Sequence, residues 1–148
     1  MTMTISVADK GDMPAILALL EGSGLPQDGL ADHVATTLAA RIGDRVVGSA
    51  ALELYGAAAL LRSVAVDRSL RGQGLGQQLT RAALDLARQR GVKQLYLLTE
   101  TAGGFFPRFG FRPLARSAVD PAVRQSVEFT SACPVSAQVL ALSLAGPA

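Results

Sequence analysis

The sequence has a single cysteine, Cys133, so no disulfide can form within the chain, which fits a reducing compartment. It has one histidine, His33, and no grouping of His, Cys or carboxylates at metal-ligand spacing, so no metal site is expected. Met1 to Val7 lacks the basic start and long apolar run of a secretion signal. The longest uncharged run, Phe129 to Ala148, is broken by Pro134, Pro147, several serines and Gln138, which excludes a membrane span. Despite a pI near 9.1, there is no Lys/Arg block and no interleaving of basic and aromatic residues, so nucleic acid is not the expected partner. Together these absences point to the cytoplasm.

What is present suits one domain over residues 1–148 with one core, since 49% of the residues are hydrophobic and only 18% are charged. The charge is uneven. Residues 1–61 hold three basic and seven acidic side chains, net −4, and residues 62–148 hold eleven and five, net +6. Either the later half binds a compact polyanion or its arginines are simply solvated.

The pattern of elements is that of an α/β domain with a mixed sheet. Thr4 to Ala8 reads as a strand with Ile5 and Val7 inward. A helix follows, capped at Asp9 or Asp12, with Pro14 in its first turn and Gly22 and Gly24 as its stop. Thr36 to Ile42 and Val46 to Tyr55 form a hairpin about Gly43–Asp44, and Ala59 to Val66 is a third strand. Leu75, Leu79, Ala82, Ala83, Leu86 and Ala87 recur at helical spacing up to Gly91, and Gln94 to Thr99 is an apolar strand. Strand, crossover helix and strand predict that Ala59–Val66 and Gln94–Thr99 run parallel. A short helix over Ala102 to Phe109, a strand at Phe111 to Leu114, a helix after Asp120–Pro121 and a last strand from Val135 to Leu144 complete the reading. That last strand offers a route to a homodimer by pairing across subunits.

The chemistry is carried by Arg71-Gly72-Gln73-Gly74-Leu75-Gly76, between an apolar strand and an amphipathic helix. Glycines there let backbone N–H groups converge beside the positive end of a helix dipole, which makes an anion site suited to pyrophosphate. A dinucleotide fingerprint would need glycine at position 77, which is Gln77, and a triphosphatase loop would need Gly-Lys-Ser/Thr, which is absent.

Arg71-x-x-Gly74-x-Gly76 resembles the acetyl-coenzyme A signature of the GNAT superfamily of N-acetyltransferases. The strand Leu61-Arg62-Ser63-Val64-Ala65-Val66-Asp67 resembles the strand that feeds that loop. The run Phe105-Phe106-Pro107-Arg108-Phe109-Gly110-Phe111 resembles the family's later Phe-Tyr-x-x-x-Gly-Phe motif. A narrower likeness joins Leu25-Pro26-x-Asp28-Gly29-Leu30, Leu60-Leu61-Arg62-Ser63, Tyr96-Leu97-Leu98-Thr99 and Cys133-Pro134-x-Ser136-Ala137 to acetyltransferases associated with arsenic resistance, some of which acetylate amino-acid analogues such as arsinothricin or phosphinothricin.

The resemblance implies a GNAT-like fold and transfer of an acetyl group from acetyl-CoA to a small, anionic, amino-acid-like amine. Val64, Ala65 and Val66 would hold the pantetheine arm through their backbone. Arg71, Gly72, Gln73, Gly74, Leu75 and Gly76 would hold the pyrophosphate. Thr99 stands where many members place a cofactor-touching asparagine, and Phe106 where many place a tyrosine that protonates the leaving thiolate. A phenyl ring has no proton to give, which leaves open a non-catalytic acyl-CoA-binding module as the alternative function.

For a general base the candidates are Glu53, on the same strand face as Ala51 and Tyr55, and Glu100 at a strand end. Glu53 is read either as the base or as a solvent-facing residue. Arg62, with Ser63 and Tyr55 beside it, is read either as the grip on an anionic acceptor or as the partner of an ion pair with Glu53. His33 is expected at the surface or in a loop, and Cys133 as a small buried residue.

Overall fold

The computed structural model describes residues 3–100, 104–134 and 136–144. Seven strands form one mixed sheet, β1 (Met3–Val7), β2 (Thr37–Ile42), β3 (Arg45–Tyr55), β4 (Ala58–Val66), β5 (Gln94–Thr99), β6 (Arg112–Pro113) and β7 (Gln138–Ser143), in the order β1-β2-β3-β4-β5-β7-β6. Two helices, α1 (Met13–Gly22) and α2 (Leu75–Gln89), pack on opposite faces. The mixed α/β class read from the sequence is borne out.

Local chemistry explains the elements. Asp9 and Asp12 cap each other reciprocally ahead of α1, and Pro14 fits its first turn, where no N–H is missed. The helix runs through Gly22 and stops at Ser23. On one sheet face, Leu79, Ala83 and Ala87 of α2 bury against Leu38, Val47, Leu52, Leu61, Leu95 and Leu97. Gly48 permits that approach, because a Cβ there would lie 2.7 Å from Leu79 Cδ1. The opposite face is covered at one end by Ile16 and Leu20 of α1 over Ala39 and Ala51. At its other end Val119 and Val123, from an irregular segment, lie over Ala58, Leu60 and Tyr96.

Three features position the site. First, β4 and β5 pair in parallel, as expected, but only through Ala58↔Gln94, Ala59↔Leu95 and Leu60↔Tyr96. Beyond these pairs the strands diverge. Second, β4 gains one residue against β3, since Ala51 pairs with Arg62 and Ser49 with Ala65. Ser63 sits in this bulge at φ 60, the one described non-glycine residue with positive φ, and its carbonyl accepts a 2.7 Å hydrogen bond from Ser49 Oγ. Third, Gly74 caps α2 in the left-handed region at φ 83.

Several expectations need correction. Val7 is 47% exposed rather than inward, because β1 is an outer strand and the core packing that reaches Met3 and Ile5 does not extend to it. The strand expected over Phe111–Leu114 shortens to two residues, since Pro113 can donate nothing to a ladder. Of the helix expected over Ala102–Phe109, a tight turn at Phe106–Phe109 is seen, and residues 101–103 lie outside the described ones. The helix expected after Asp120–Pro121 is a single turn, Val123–Gln125, followed by an unanticipated π-helical turn, Glu128–Ala132. The last strand starts at Gln138, with Val135 outside the described residues. It pairs with β5 along its whole length and, at Leu140 and Ala141 alone, with β6 on its other side, so pairing across subunits could use only the rest of that side.

Candidate active site

The divergence of β4 from β5 opens a cavity of about 760 Å³. One wall is Leu61 to Val66, and the facing wall is Leu97 to Glu100. Main-chain groups of β4 past Leu60 have no strand partner on the β5 side, so an extended ligand can pair with them there. A second hollow of about 350 Å³ shares Val66, Arg71, Gly76 and Phe105 with the first and adds Gly72, Gly74, Leu75, Gln77 and Arg108. It lies at the start of α2, whose first N–H groups lack helical partners and carry the positive end of the dipole. Arg71 ties this loop down by donating to the Val66 carbonyl (3.2 Å) and to Ser23 Oγ (3.2 Å) at the end of α1.

The residues expected at the cofactor thus come together. Val64, Ala65, Val66, Arg71, Gly76, Thr99 and Phe106 line the large cavity, and Gly72, Gly74 and Leu75 line the hollow. Gln73 lines neither and is exposed. Phe106 lines the cavity while packing edge-on against Phe105 (5.0 Å) and Phe111 (5.8 Å).

The other end of the cavity is built around a buried ion cluster. Arg62 lines it with a side chain that is 0% exposed. Its Nη1 donates to Glu53 Oε2 (2.8 Å) and to the Asp28 carbonyl (2.8 Å), and Nη2 donates to the Pro26 carbonyl (3.3 Å). Its Nε lies 3.1 Å from both Ser63 Oγ and Glu128 Oε2. The ion-pair reading of Arg62 is therefore the geometry observed. It does not leave a free fork for an incoming anion.

Glu53 is 1% exposed, not solvent-facing, and it does not line the cavity. Tyr55 likewise stands behind the wall, donating its hydroxyl to Glu53 Oε1 at 2.5 Å. Burial works to raise the pKa of Glu53, but hydrogen bonds from Tyr55, Arg62 and Ser126 outweigh it and hold the carboxyl below its ordinary range. Burial and the bond to Glu53 push the Tyr55 phenol up to about 12. His33 is half-buried, its Nε2 3.9 Å from Glu53 Oε1, rather than at the open surface.

Sequence reasoning missed Glu128. It is 4% exposed, lines the cavity and begins the π-helical turn. Burial pushes its carboxyl up to about 7, opposed by Arg62 and reinforced by the negative charge of Glu53. The available signal was a lone acid between Val127 and Phe129, with apolar neighbours on both sides. Cys133 also lines the cavity and is only half-buried, with its thiol pushed up to about 12 by burial and by Glu128. Among the described residues no group of His, Cys, Asp or Glu is arranged to hold a metal.

Residues 33–113 match the acetyltransferase (GNAT) domain family, and the match spans more than half of the chain. The chain belongs to this family. An uncharacterised N-acetyltransferase of Chlorobaculum tepidum is 28% identical over 90 residues, 60% of this chain and 57% of that relative. The fold superposes on N-acetylglutamate synthase from Neisseria gonorrhoeae, complexed with coenzyme A and N-acetyl-glutamate, with TM-score 0.83 at 22% identity, over 99% of this chain and 36% of the synthase. It also superposes on a Mycobacterium tuberculosis protein in complex with CoA, with TM-score 0.80 at 24% identity, over 96% and 99% of the two chains. The GNAT fold is shared, although this chain spans little more than half of the curated relative and about a third of the synthase.

Proposed function

We propose that this GNAT protein transfers the acetyl group of acetyl-CoA to the amino group of a small, amino-acid-like acceptor. The observation that carries the reading is a pair of adjoining hollows that share Val66, Arg71, Gly76 and Phe105 as a common wall. The smaller lies at the glycine loop at the start of α2, and the larger runs along the unpaired edge of β4 to the buried cluster around Arg62. An anionic, arm-like donor fits the loop and the β4 edge, and a compact acceptor fits the end at the cluster. The family supports the donor, and the Neisseria synthase, complexed with N-acetyl-glutamate, supports an amino-acid-like acceptor.

The arsenic-linked acceptors suggested by the narrower motifs belong to the same chemical class. Their anionic group is not what Arg62 is free to hold, so the acceptor's amine is the better guide to recognition. The test is release of free thiol from acetyl-CoA with α-amino acids, with amino-acid analogues bearing a phosphinate or arsinate group, and with simple alkylamines. Release that depends on an amino-acid-type amine is expected. Tight binding of acetyl-CoA with no release for any amine would instead establish the non-catalytic acyl-CoA-binding module.

Phe106 enters this reading as packing rather than as an acid. Phe106→Leu is expected to weaken acetyl-CoA binding several-fold through lost ring contact, with the pH dependence of turnover unchanged. A pH–rate profile that changes shape in the variant would count against it.

A further inference from the structure

We infer that the acceptor's amino group docks against Glu128, in a subsite walled by Pro26, Arg62, Ser63 and Cys133, and that the Glu128 carboxylate takes the proton this amine must lose. The inference rests on the transferase reading above and assigns the base within it.

Charge and position carry the assignment. Glu53 and Arg62 face each other at 2.8 Å and cancel, with Glu53 closed off from the cavity. Glu128, on the far side of the same guanidinium, is the second carboxylate on that one cation. The cluster therefore holds an excess negative charge on the residue that meets the cavity. A buried excess carboxylate calls for a cation, and an incoming ammonium group supplies one. Glu100 also lines the cavity, but it is exposed at the end of β5, where water screens it.

The groups facing Glu128 tune it. Arg62 and Glu53 face it from the sheet, Asp28 from the loop after α1, and Cys133 from the end of its own turn. Their balance, with burial foremost, puts its titration at about 7, where a base can both accept and release a proton. The step balances as follows. The ammonium gives one proton to Glu128. The freed lone pair forms the C–N bond to the thioester carbonyl, the C–S bond breaks with its electron pair on sulfur, and the second N–H proton ends on that thiolate. Glu128 returns its proton to solvent.

The experiment uses the full chain, acetyl-CoA and the best amine of the thiol-release panel. The rate read is kcat as a function of pH, because the acceptor's own ammonium titrates in kcat/KM. Wild type is expected to show an acidic limb in kcat, lying below the value of the empty cavity because a docked ammonium favours the charged Glu128. Glu128→Gln should lower kcat by about 10²–10⁴-fold and remove that limb, with acetyl-CoA affinity by calorimetry and the melting temperature retained. Glu128→Asp should keep the limb at a reduced rate. Cys133→Ala removes a hydrogen bond that favours the Glu128 carboxylate, so it should move the limb to higher pH, and it tests the assignment even where Glu128→Gln does not fold. Wild-type turnover that survives in Glu128→Gln with its limb intact, or a limb that Cys133→Ala leaves in place, overturns the role of Glu128 alone. Absence of thiol release for every amine overturns the transferase reading itself.

Discussion

Gly74→Asp is expected to weaken acetyl-CoA binding by on the order of 10²-fold while the fold survives. A Cβ at Gly74 meets no protein atom within 4 Å, so the side chain would project into open space beside the start of α2. Its charge would stand where the dipole and the unpaired N–H groups invite an anion. At an effective dielectric of about 20, a carboxylate about 5 Å from one phosphate charge costs roughly 3 kcal/mol, or about 200-fold. Backbone strain is a separate effect, because φ here is 83 and a non-glycine residue in that region costs roughly 1–2 kcal/mol. Gly74→Asn isolates it, having the same size and no charge. Calorimetry on both variants, beside thermal melts, reads the difference. Equal affinities for the aspartate and asparagine variants would remove the pyrophosphate from this loop.

The second large effect is on stability. Arg62→Ala leaves Glu53 and Glu128 buried without their shared cation, and breaking such a cluster from one side costs about 3–5 kcal/mol. For a domain of this size that is a fall in Tm of about 10–15 °C. Lysine should recover only part, because a point charge cannot reach both carboxylates and the carbonyls of Pro26 and Asp28 together. The pH dependence has a definite sign. In the wild type Glu53 has a lowered pKa, so its contribution is present above the ordinary carboxylate range and is lost as pH falls through its folded value. The gap in Tm between wild type and Arg62→Ala should therefore be widest near neutrality and narrow toward pH 4. Melts across that range, with acceptor kinetics on the same preparations, separate scaffold from acceptor grip. A constant Tm gap, or unchanged stability with a collapsed specificity constant, would return Arg62 to substrate recognition.

The order of elements and the candidate anion loop were legible because each rests on local rules. The turn at Gly43–Asp44 marked the β2–β3 hairpin, an apolar run marked β5, helical spacing marked α2, and the glycines of residues 72–76 marked the anion loop. The acceptor end was not, because it depends on contacts between distant segments. Nothing local says that Glu53 turns inward to Arg62, although their pairing stood as one of two readings. Nothing local brings Glu128 to that guanidinium either, since it arrives on a single π-helical turn with no periodic signature. The same limit explains Val7, whose alternation was sound but whose outer strand runs past its cover. It also applies to β7, since a strand at Phe111 to Leu114 was legible but its pairing with β7 is a long-range contact that no local rule reveals.

A ladder that ends after three residue pairs has a further consequence for how such a protein changes over time. The exposed rungs of β4 are amide groups, which every residue type except proline supplies alike. A slot read by those groups is insensitive to most substitutions along Val64 to Val66, provided the side chains still fill the core beneath. The acceptor end has no such insulation, because it is assembled from side chains at Arg62, Glu128 and Cys133 and from the loop at Pro26 to Asp28. Mutational drift therefore falls unequally on the two ends. Under the proposed function, the donor half could wander in sequence without losing its ligand, whereas a single exchange in the other half would re-specify what is accepted.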